Sequence, residues 1–155
     1  MSAGAQLQVM RRARIWSPSA ADLRVWAHAA LGRRARGGEL ALRVVGMTES
    51  RRLNAHFRGQ DAATNVLSFP ARALPGLTAH GPRPLGDLVI CARLLRREAR
   101  AQGKTLRAHW AHLVVHGALH LIGYDHQRAR DARRMERREI AVLRRLGFAN
   151  PYRSV

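Results

Sequence analysis

One stretch constrains the fold more than any other. It reads HGALHLIGYDH and runs from His116 to His126. His116 and His120 are four residues apart, so on an α-helix they lie one turn above each other with both imidazoles on one face. Gly123 can adopt the left-handed conformation that ends a helix, which would bring His126 back towards the other two. The stretch therefore predicts a helix that ends in a sharp turn, with three imidazoles directed at one ion.

Three neutral imidazoles with a fourth position left for water are typical of catalytic zinc, which lowers the pKa of bound water to about 7. We therefore predict that Zn²⁺ is bound by His116, His120 and His126. His112 is a rival third ligand, because it continues the four-residue steps. Ligands on successive turns of a straight helix would span about 12 Å at 1.5 Å per residue, too far for one zinc. The spacing therefore favours His126.

Gly117 argues against a peptidase. The same histidine spacing in metzincin peptidases carries a glutamate after the first histidine, where it acts as general base. Glycine occupies that position in this chain. Peptide hydrolysis by that route is therefore disfavoured, and a base or charge-stabilising group has to come from elsewhere.

Length and composition predict one globular domain over residues 1–155. Hydrophobic residues make up 46% of the chain, and no apolar run is long enough to span a bilayer. The N-terminal residues lack the pattern of a secretory signal, so a cytoplasmic location without membrane attachment is expected. Cys91, the single cysteine, lies in an apolar run and is interpreted as a buried core residue.

Charge points to a polyanionic partner. The chain has 28 Lys and Arg against 10 Asp and Glu, a net charge of +18, and Lys104 is its single lysine. Guanidinium groups match phosphate oxygens, and neutralising phosphates releases counterions, so nucleic acid is the expected partner. The alternative is a solvated arginine surface without a binding role.

Periodicity and capping residues predict an α+β domain, with a mixed four-stranded sheet packed with about five helices and the metal site at the end of a helix. Ser17 and Thr48 are the expected N-caps of the first two helices. The strands are expected over residues 6–14, 39–45, 64–70 and 85–90, the helices over 18–31, 48–58, 92–102, 105–121 and 128–146, and a Pro- and Gly-rich loop over 71–84.

Four blocks of sequence resemble the YbeY family of bacterial metal-dependent endoribonucleases. They are LNAHFR from Leu53, DAATNVLSFP from Asp61, LGDLVI from Leu85 and the histidine stretch. The blocks occur in the family's order and cover the chain from about residue 40 to Tyr152. The resemblance implies a single-strand-specific endoribonuclease that acts in 16S rRNA 3′-end maturation and ribosome quality control. It also implies the small ribosomal subunit and its rRNA as partners, with a ribosome-assembly GTPase as a further candidate.

The resemblance also assigns roles to individual residues. His116, His120 and His126 match the zinc ligands, with His116 also placed in the catalytic set. Arg58 matches an arginine important for activity, where its charge would stabilise a phosphodiester transition state. Other matched positions have open roles: Thr64, Asn65 and Ser68 could line the cleft, and Asp87 and Asp125 could orient a histidine or serve in turns and caps.

The last helix departs from the family pattern, because arginines replace many acidic residues after His126. It could face RNA, or be a solvated helix in which Glu136 and Glu139 pair with its own arginines. Two other functions remain open. One is a zinc hydrolase of peptides or amides, and the other is a ribosome-associated RNA-binding factor with structural zinc.

Overall fold

The computed structural model describes residues 5–71 and 83–153. All four predicted strands and all five predicted helices are present, which confirms the α+β prediction. In chain order the elements are β1 (Gln6–Arg11), α1 (Ala20–Leu31), a 3₁₀ turn (Gly32–Ala35), β2 (Gly38–Val45), α2 (Met47–Arg58), β3 (Val66–Pro70), β4 (Arg83–Cys91), α3 (Ala92–Gln102), α4 (Leu106–Leu121) and α5 (Ala129–Arg145).

The sheet is mixed, with strand order β1-β2-β4-β3. Strands β1, β2 and β4 are parallel, whereas β3 pairs antiparallel with β4 and lies at the edge. Side chains alternate between the two faces of each strand. Leu88 and Ile90 of β4 therefore join the main core, and Val89 and Cys91 join a smaller cluster on the opposite face.

Helices α1 and α4 cover the main core face, and α5 packs on α4. Trp110 of α4 and Leu23 of α1 are fully buried there. On the opposite face, α2 packs over the smaller cluster, in which Cys91 is 1% exposed and lies 3.6 Å from the sulfur of Met47. The prediction that Cys91 is a core residue is confirmed.

Two predicted helix caps are wrong. The N-cap of α1 is Ser19, whose Oγ accepts a hydrogen bond from the Asp22 amide at 3.1 Å, while Ser17 contacts the Arg11 guanidinium. Helix α2 begins after Gly46, with no side-chain cap, so Thr48 lies inside its first turn. Both helices begin within two residues of the predicted place.

The predicted loop over residues 71–84 ends two residues earlier than predicted. Strand β4 begins at Arg83, whose amide donates to the Gly37 carbonyl at 2.7 Å. Pro84 lies opposite Glu39, where the register between β2 and β4 shifts, and a proline is tolerated at such an irregularity. Residues 72–82 of the predicted loop lie outside the described residues. In the parts of the chain that the structure describes, no helix is long and apolar enough to cross a membrane.

Candidate metal centre

Helix α4 presents its histidines beside its buried face. Thr105 caps its start, where the hydroxyl accepts a hydrogen bond from the Ala108 amide at 3.1 Å. The residues that pack into the core leave His112, His116 and His120 half-buried on a neighbouring stripe. These histidines are four residues apart, which is close to the roughly 3.6 residues of one helical turn, so they lie along one side of the helix.

Gly117 lies where α4 meets the sheet. A Cβ at this position would lie 2.9 Å from Leu88 Cδ2 and 3.2 Å from Val66 Cγ2. The Ser68 hydroxyl donates to the Gly117 carbonyl at 3.1 Å, which also holds α4 against β3. Position 117 therefore faces the sheet, and the missing glutamate is explained by packing, since no side chain fits there without displacing its neighbours.

The turn after α4 brings the third histidine back. Gly123 has φ +100°, which favours glycine, and its amide donates to the His120 carbonyl at 3.1 Å. Arg34 donates to the Ile122 carbonyl at 2.5 Å and holds the turn from outside. The His126 ring centroid lies 4.8 Å from that of His120 and 5.7 Å from that of His116. The predicted helix, turn and convergence of the three rings are therefore confirmed, while their role as ligands stays a prediction.

The three imidazoles have the spacing that a zinc ion requires. The Nε2 atoms of His116 and His120 are 3.2 Å apart, and one nitrogen of each of the three rings lies within 4.8 Å of the others. Two nitrogens about 2.0–2.1 Å from a tetrahedral zinc would be roughly 3.4 Å apart. Burial, and then the proximity of His116 and His126, lower the pKa of His120, so its ring is neutral at pH 7. The donor set therefore fits a zinc ion.

Glu139 of α5 is the main residue that the sequence analysis misplaced. Its side chain is 1% exposed, and its two oxygens lie 2.6 Å from His112 Nε2 and 3.1 Å from His116 Nδ1. The Tyr152 hydroxyl donates to the same carboxylate at 2.9 Å. Of the alternatives considered for the last helix, the one in which Glu139 pairs with arginines of its own helix is therefore not observed.

The Glu139 contact favours one tautomer of His116. A carboxylate beside Nδ1 favours a proton on that nitrogen, which leaves the lone pair of Nε2 directed at His120. Such carboxylate partners orient histidine ligands and increase their basicity. The same contact engages Nε2 of His112, the rival third ligand, so His112 is directed at Glu139 and His126 completes the group around His120.

Glu139 is held in its charged form. Burial alone would raise its pKa, but hydrogen bonds and charge from His112 and His116 lower the pKa to about 2. Burial, together with the Glu139 carboxylate, raises the pKa of Tyr152, so this phenol stays protonated and able to donate. The segment that carries Tyr152 is also fixed by Lys104, whose Nζ donates to the Pro151 carbonyl at 2.6 Å.

A second buried pair lies one turn earlier on α4. His109 Nε2 is 2.8 Å from Glu98 Oε1, and the Asn65 amide donates to the same carboxylate at 3.1 Å and 3.2 Å. Burial lowers the pKa of His109 despite the carboxylate, so the ring is neutral at pH 7. Asn65, His112, His116 and Tyr152 line one cavity of about 290 Å³. Asn65 therefore contacts Glu98 and lines a cavity that also reaches His116, while its role in a catalytic cleft stays a prediction.

Arg58 ends α2 at the edge strand β3. Its Nη2 donates to the Ser68 carbonyl at 2.8 Å, and its guanidinium carbon lies 5.2 Å from the Phe69 ring centroid. Because the Ser68 hydroxyl contacts Gly117, this residue connects Arg58 to the part of α4 next to His116. The guanidinium is exposed and has no carboxylate partner within the described residues, so it can bind an anion.

The remaining predicted residues have structural contacts. The Thr64 amide donates to Ser50 Oγ at 2.9 Å, and Ser50 donates back to the Thr64 carbonyl at 2.8 Å, which fixes the chain before β3. Asp125 accepts from the amides of His126 and Gln127, so it stabilises the turn that carries His126. Asp87 is exposed on the sheet face that carries α2, away from α4. Of the two roles considered for Asp125, the turn role is the one observed.

The fold and site together define an α+β protein with three histidines grouped at the end of one helix and a buried carboxylate behind them. The model of the family described as Endoribonuclease YbeY matches residues 19–147. The Endoribonuclease YbeY of Alkalilimnicola ehrlichii is 55% identical over 138 residues, which cover 88% of this chain and 82% of that protein. That of Halorhodospira halophila is 49% identical over 136 residues, or 88% of each chain. The chain belongs to the Endoribonuclease YbeY family.

A solved structure supports the fold. The solution structure of TM1509 from Thermotoga maritima has a TM-score of 0.54 at 19% identity and covers 96% of this chain and 99% of its own. At this level of identity the likeness concerns the fold alone.

Proposed function

We propose that this chain is a zinc-dependent endoribonuclease that cleaves single-stranded RNA in the cytoplasm. Its proposed task is 16S rRNA 3′-end maturation and ribosome quality control on the small ribosomal subunit, with a ribosome-assembly GTPase as a candidate partner. The observation that carries the proposal is the group of His116, His120 and His126 backed by Glu139, in a chain of the Endoribonuclease YbeY family.

Each residue has a part in this reaction. His116, His120 and His126 would hold the ion, and Glu139 would keep the His116 ring oriented with its Nδ1 protonated. A zinc ion bound there would supply Lewis-acid polarisation of a phosphate oxygen. Arg58, at the sheet edge beside α4, would neutralise the charge that develops on the phosphate in the transition state. These roles require a phosphodiester placed between the histidines and Arg58.

Two other functions are less well supported. A peptidase would need a base at position 117, which faces the sheet. A purely structural zinc would normally be closed by four protein ligands. The group of His116, His120 and His126 has three, and the second possible group in the described residues, His112, His116 and Glu139, also has three.

The test is cleavage of a labelled single-stranded RNA that contains the small-subunit 3′ region by the zinc-loaded protein. Arg58→Ala and His120→Ala are expected to abolish cleavage without unfolding the protein. Arg52→Ala, on the exposed side of the same helix, is the matched control and is expected to leave cleavage unchanged. Equal cleavage by all four proteins, or none by the parent, would contradict the proposal and favour a binding factor.

The product ends identify the nucleophile. A 2′,3′-cyclic phosphate would show that the 2′-hydroxyl of the substrate attacks first. A linear phosphate end from the earliest time points would show direct attack by water.

A further inference from the structure

A basic groove lies apart from the histidines, at the carboxyl ends of β1 and β2. Its volume is about 860 Å³, and its walls are the segment after β1, the start of α2 and one face of α3. Five of the residues that line it are arginines: Arg14, Arg93, Arg96, Arg97 and Arg100.

Helix α3 separates its charges between two faces. Arg93, Arg96, Arg97 and Arg100 follow the i, i+3, i+4, i+7 spacing that places side chains on one side of a helix, and all four are exposed. Glu98, the one acidic residue of α3, points to the other side, where His109 and Asn65 hold its carboxylate. The four arginines of α3 therefore line the groove, whereas the Glu98 carboxylate lies on the other side of the helix.

The arginines of the groove have no internal partners. Over residues 5–71 and 83–153, none of the five takes part in a salt bridge or a side-chain hydrogen bond, whereas Arg43, Arg51, Arg52 and Arg107 pair with carboxylates. Like charges gathered in a concave surface repel one another and attract counterions or an anionic ligand. The groove thus has the electrostatics of a binding site for a polyanion.

The start of α2 adds backbone donors to the same wall. Gly46, Met47 and Thr48 line the groove, and no side chain caps this helix end. The first amides of a helix point outwards at the positive end of its dipole, which favours phosphate. Glu49 in the same turn pairs with Arg43 and Arg52 and is not among the residues of the groove.

We propose that this groove binds consecutive phosphates of an RNA strand at a site separate from the metal centre. Arg93 to Arg100 extend about 10 Å at 1.5 Å per residue, or about three steps of 3.4 Å along the axis of a helical strand, which is room for three to four phosphates. Along α2, Thr48 in the groove and Arg58, which contacts the Ser68 carbonyl at the sheet edge, are about 15 Å apart. A long RNA can therefore occupy both sites, whereas a dinucleotide can occupy only one.

This inference rests on RNA as the ligand of the proposed function, but it does not require cleavage. The test compares the parent with a groove variant carrying Arg93→Gln, Arg96→Gln, Arg97→Gln and Arg100→Gln. A matched control carries Arg24→Gln, Arg33→Gln, Arg36→Gln and Arg144→Gln, four exposed arginines on other surfaces, so both variants lose the same charge. Glutamine has nearly the helix propensity of arginine, so α3 is expected to remain folded.

Binding of a fluorescent single-stranded RNA to the metal-free proteins is measured by anisotropy over a range of salt concentrations. The groove variant is expected to bind at least about tenfold more weakly than the control, and the slope of log K against log salt is expected to fall by about 2 if three phosphate contacts at 0.7 each are lost. For the zinc-loaded proteins, KM for the long RNA is expected to rise while kcat stays unchanged, and cleavage of a dinucleotide is expected to be unaffected.

Two outcomes would overturn the proposal. If both variants lose affinity equally, only net charge matters. If the groove variant keeps the affinity and salt slope of the parent, the arginines form a solvated surface. A parent that binds RNA through the groove but cleaves neither substrate would instead contradict the proposed function and leave this inference supported.

Discussion

The histidine site and the arginine groove use charge in opposite ways. Around Glu139, one buried carboxylate is matched by three donors at 2.6–3.1 Å. In the groove, five exposed guanidinium groups line one cavity and have no carboxylate partners among the described residues. The first arrangement fixes ring positions and favours particular tautomers, as a metal site would require. The second provides attraction without fixed geometry, which suits a chain of repeated phosphates.

This difference predicts different responses to substitution. A buried hydrogen-bonded network loses most of its function when one member is removed, because the remaining groups are left without partners in a poorly solvated place. An exposed cluster loses affinity by degrees, and the loss depends on salt. The following predictions test the buried histidine site. The groove variant described above tests the exposed arginine groove.

The largest effect is expected from removal of a predicted ligand. His126→Ala should bind no stoichiometric zinc, because only two imidazoles of the group remain. His112→Ala should retain zinc, since the contact of its Nε2 is with Glu139. Zinc content of the purified proteins is the measurement. Retention by His126→Ala together with loss by His112→Ala would show that the ligand set is wrong.

Glu139→Ala is expected to lower the free energy of unfolding by about 3–5 kcal/mol, because it breaks a buried charged network. It should also weaken zinc binding by about 10–100-fold through loss of the His116 contact. Chemical denaturation and competition with a chelator measure the two effects.

Glu136→Ala is the control for Glu139, because Glu136 is exposed on the same helix. If both substitutions have the same small effect, the carboxylate of Glu139 does not support His116.

Gly117→Ala is expected to lower the free energy of unfolding by about 1–3 kcal/mol, because the added methyl group has to displace Leu88 at a close-packed contact. At an unpacked position inside a helix, the same substitution would raise stability by about 1 kcal/mol. The sign of the change in urea unfolding therefore decides whether α4 is in tight contact with the sheet in solution. A more stable variant would contradict the contact.

A smaller effect is expected from pH. Burial lowers the pKa of His109 and of His120, so both rings stay unprotonated in the folded metal-free protein while the unfolded chain binds protons there below about pH 6.5. The contribution of these rings to the free energy of unfolding should therefore be constant between about pH 7 and pH 9 and decrease as the pH falls below about 6.5. Further loss is expected below pH 4.5, as the unfolded chain protonates Glu139 while its folded pKa is about 2.

Arginine does not titrate over this range. The salt slope of RNA binding through the groove should therefore be the same at pH 8 and pH 6.

A His109→Gln variant tests the effect of pH on stability. If its free energy of unfolding has the same pH dependence between pH 8 and pH 6 as that of the parent, the His109 ring does not contribute to the loss of stability.

Much of the fold follows from local sequence signals. Apolar periodicity places every helix and strand, and the offsets between His116, Gly123 and His126 predict the turn that groups the rings. These features depend on contacts within a few residues, which sequence spacing determines directly. The start of α1 was predicted two residues too early because Ser17 and Ser19 are both suitable caps. In the structure the Asp22 amide donates to Ser19, so the helix begins after Ser19.

The contacts of Glu139 could not be predicted from the sequence because they depend on how α5 packs on α4. Its neighbours on α5 are mostly arginines, and a glutamate among arginines usually forms exposed pairs. A signal was nevertheless present, because Glu139 lies at helical spacing from Met135 and Leu143 on the stripe that packs inwards. A carboxylate on a buried stripe requires donors, and the histidines of α4 provide them. Only the packing of α5 on α4 decides which residues meet.

The close contact at Gly117 bears on how hydrolases with this histidine spacing are related. Replacing one codon could supply the glutamate of the peptidases, but the new side chain would meet Leu88 and Val66 instead of a zinc-bound water. A side chain at this position would require Leu88 to shift, and its Cβ would be directed at the sheet. The two kinds of active site therefore differ in the direction that this helix position faces as well as in the residue found there.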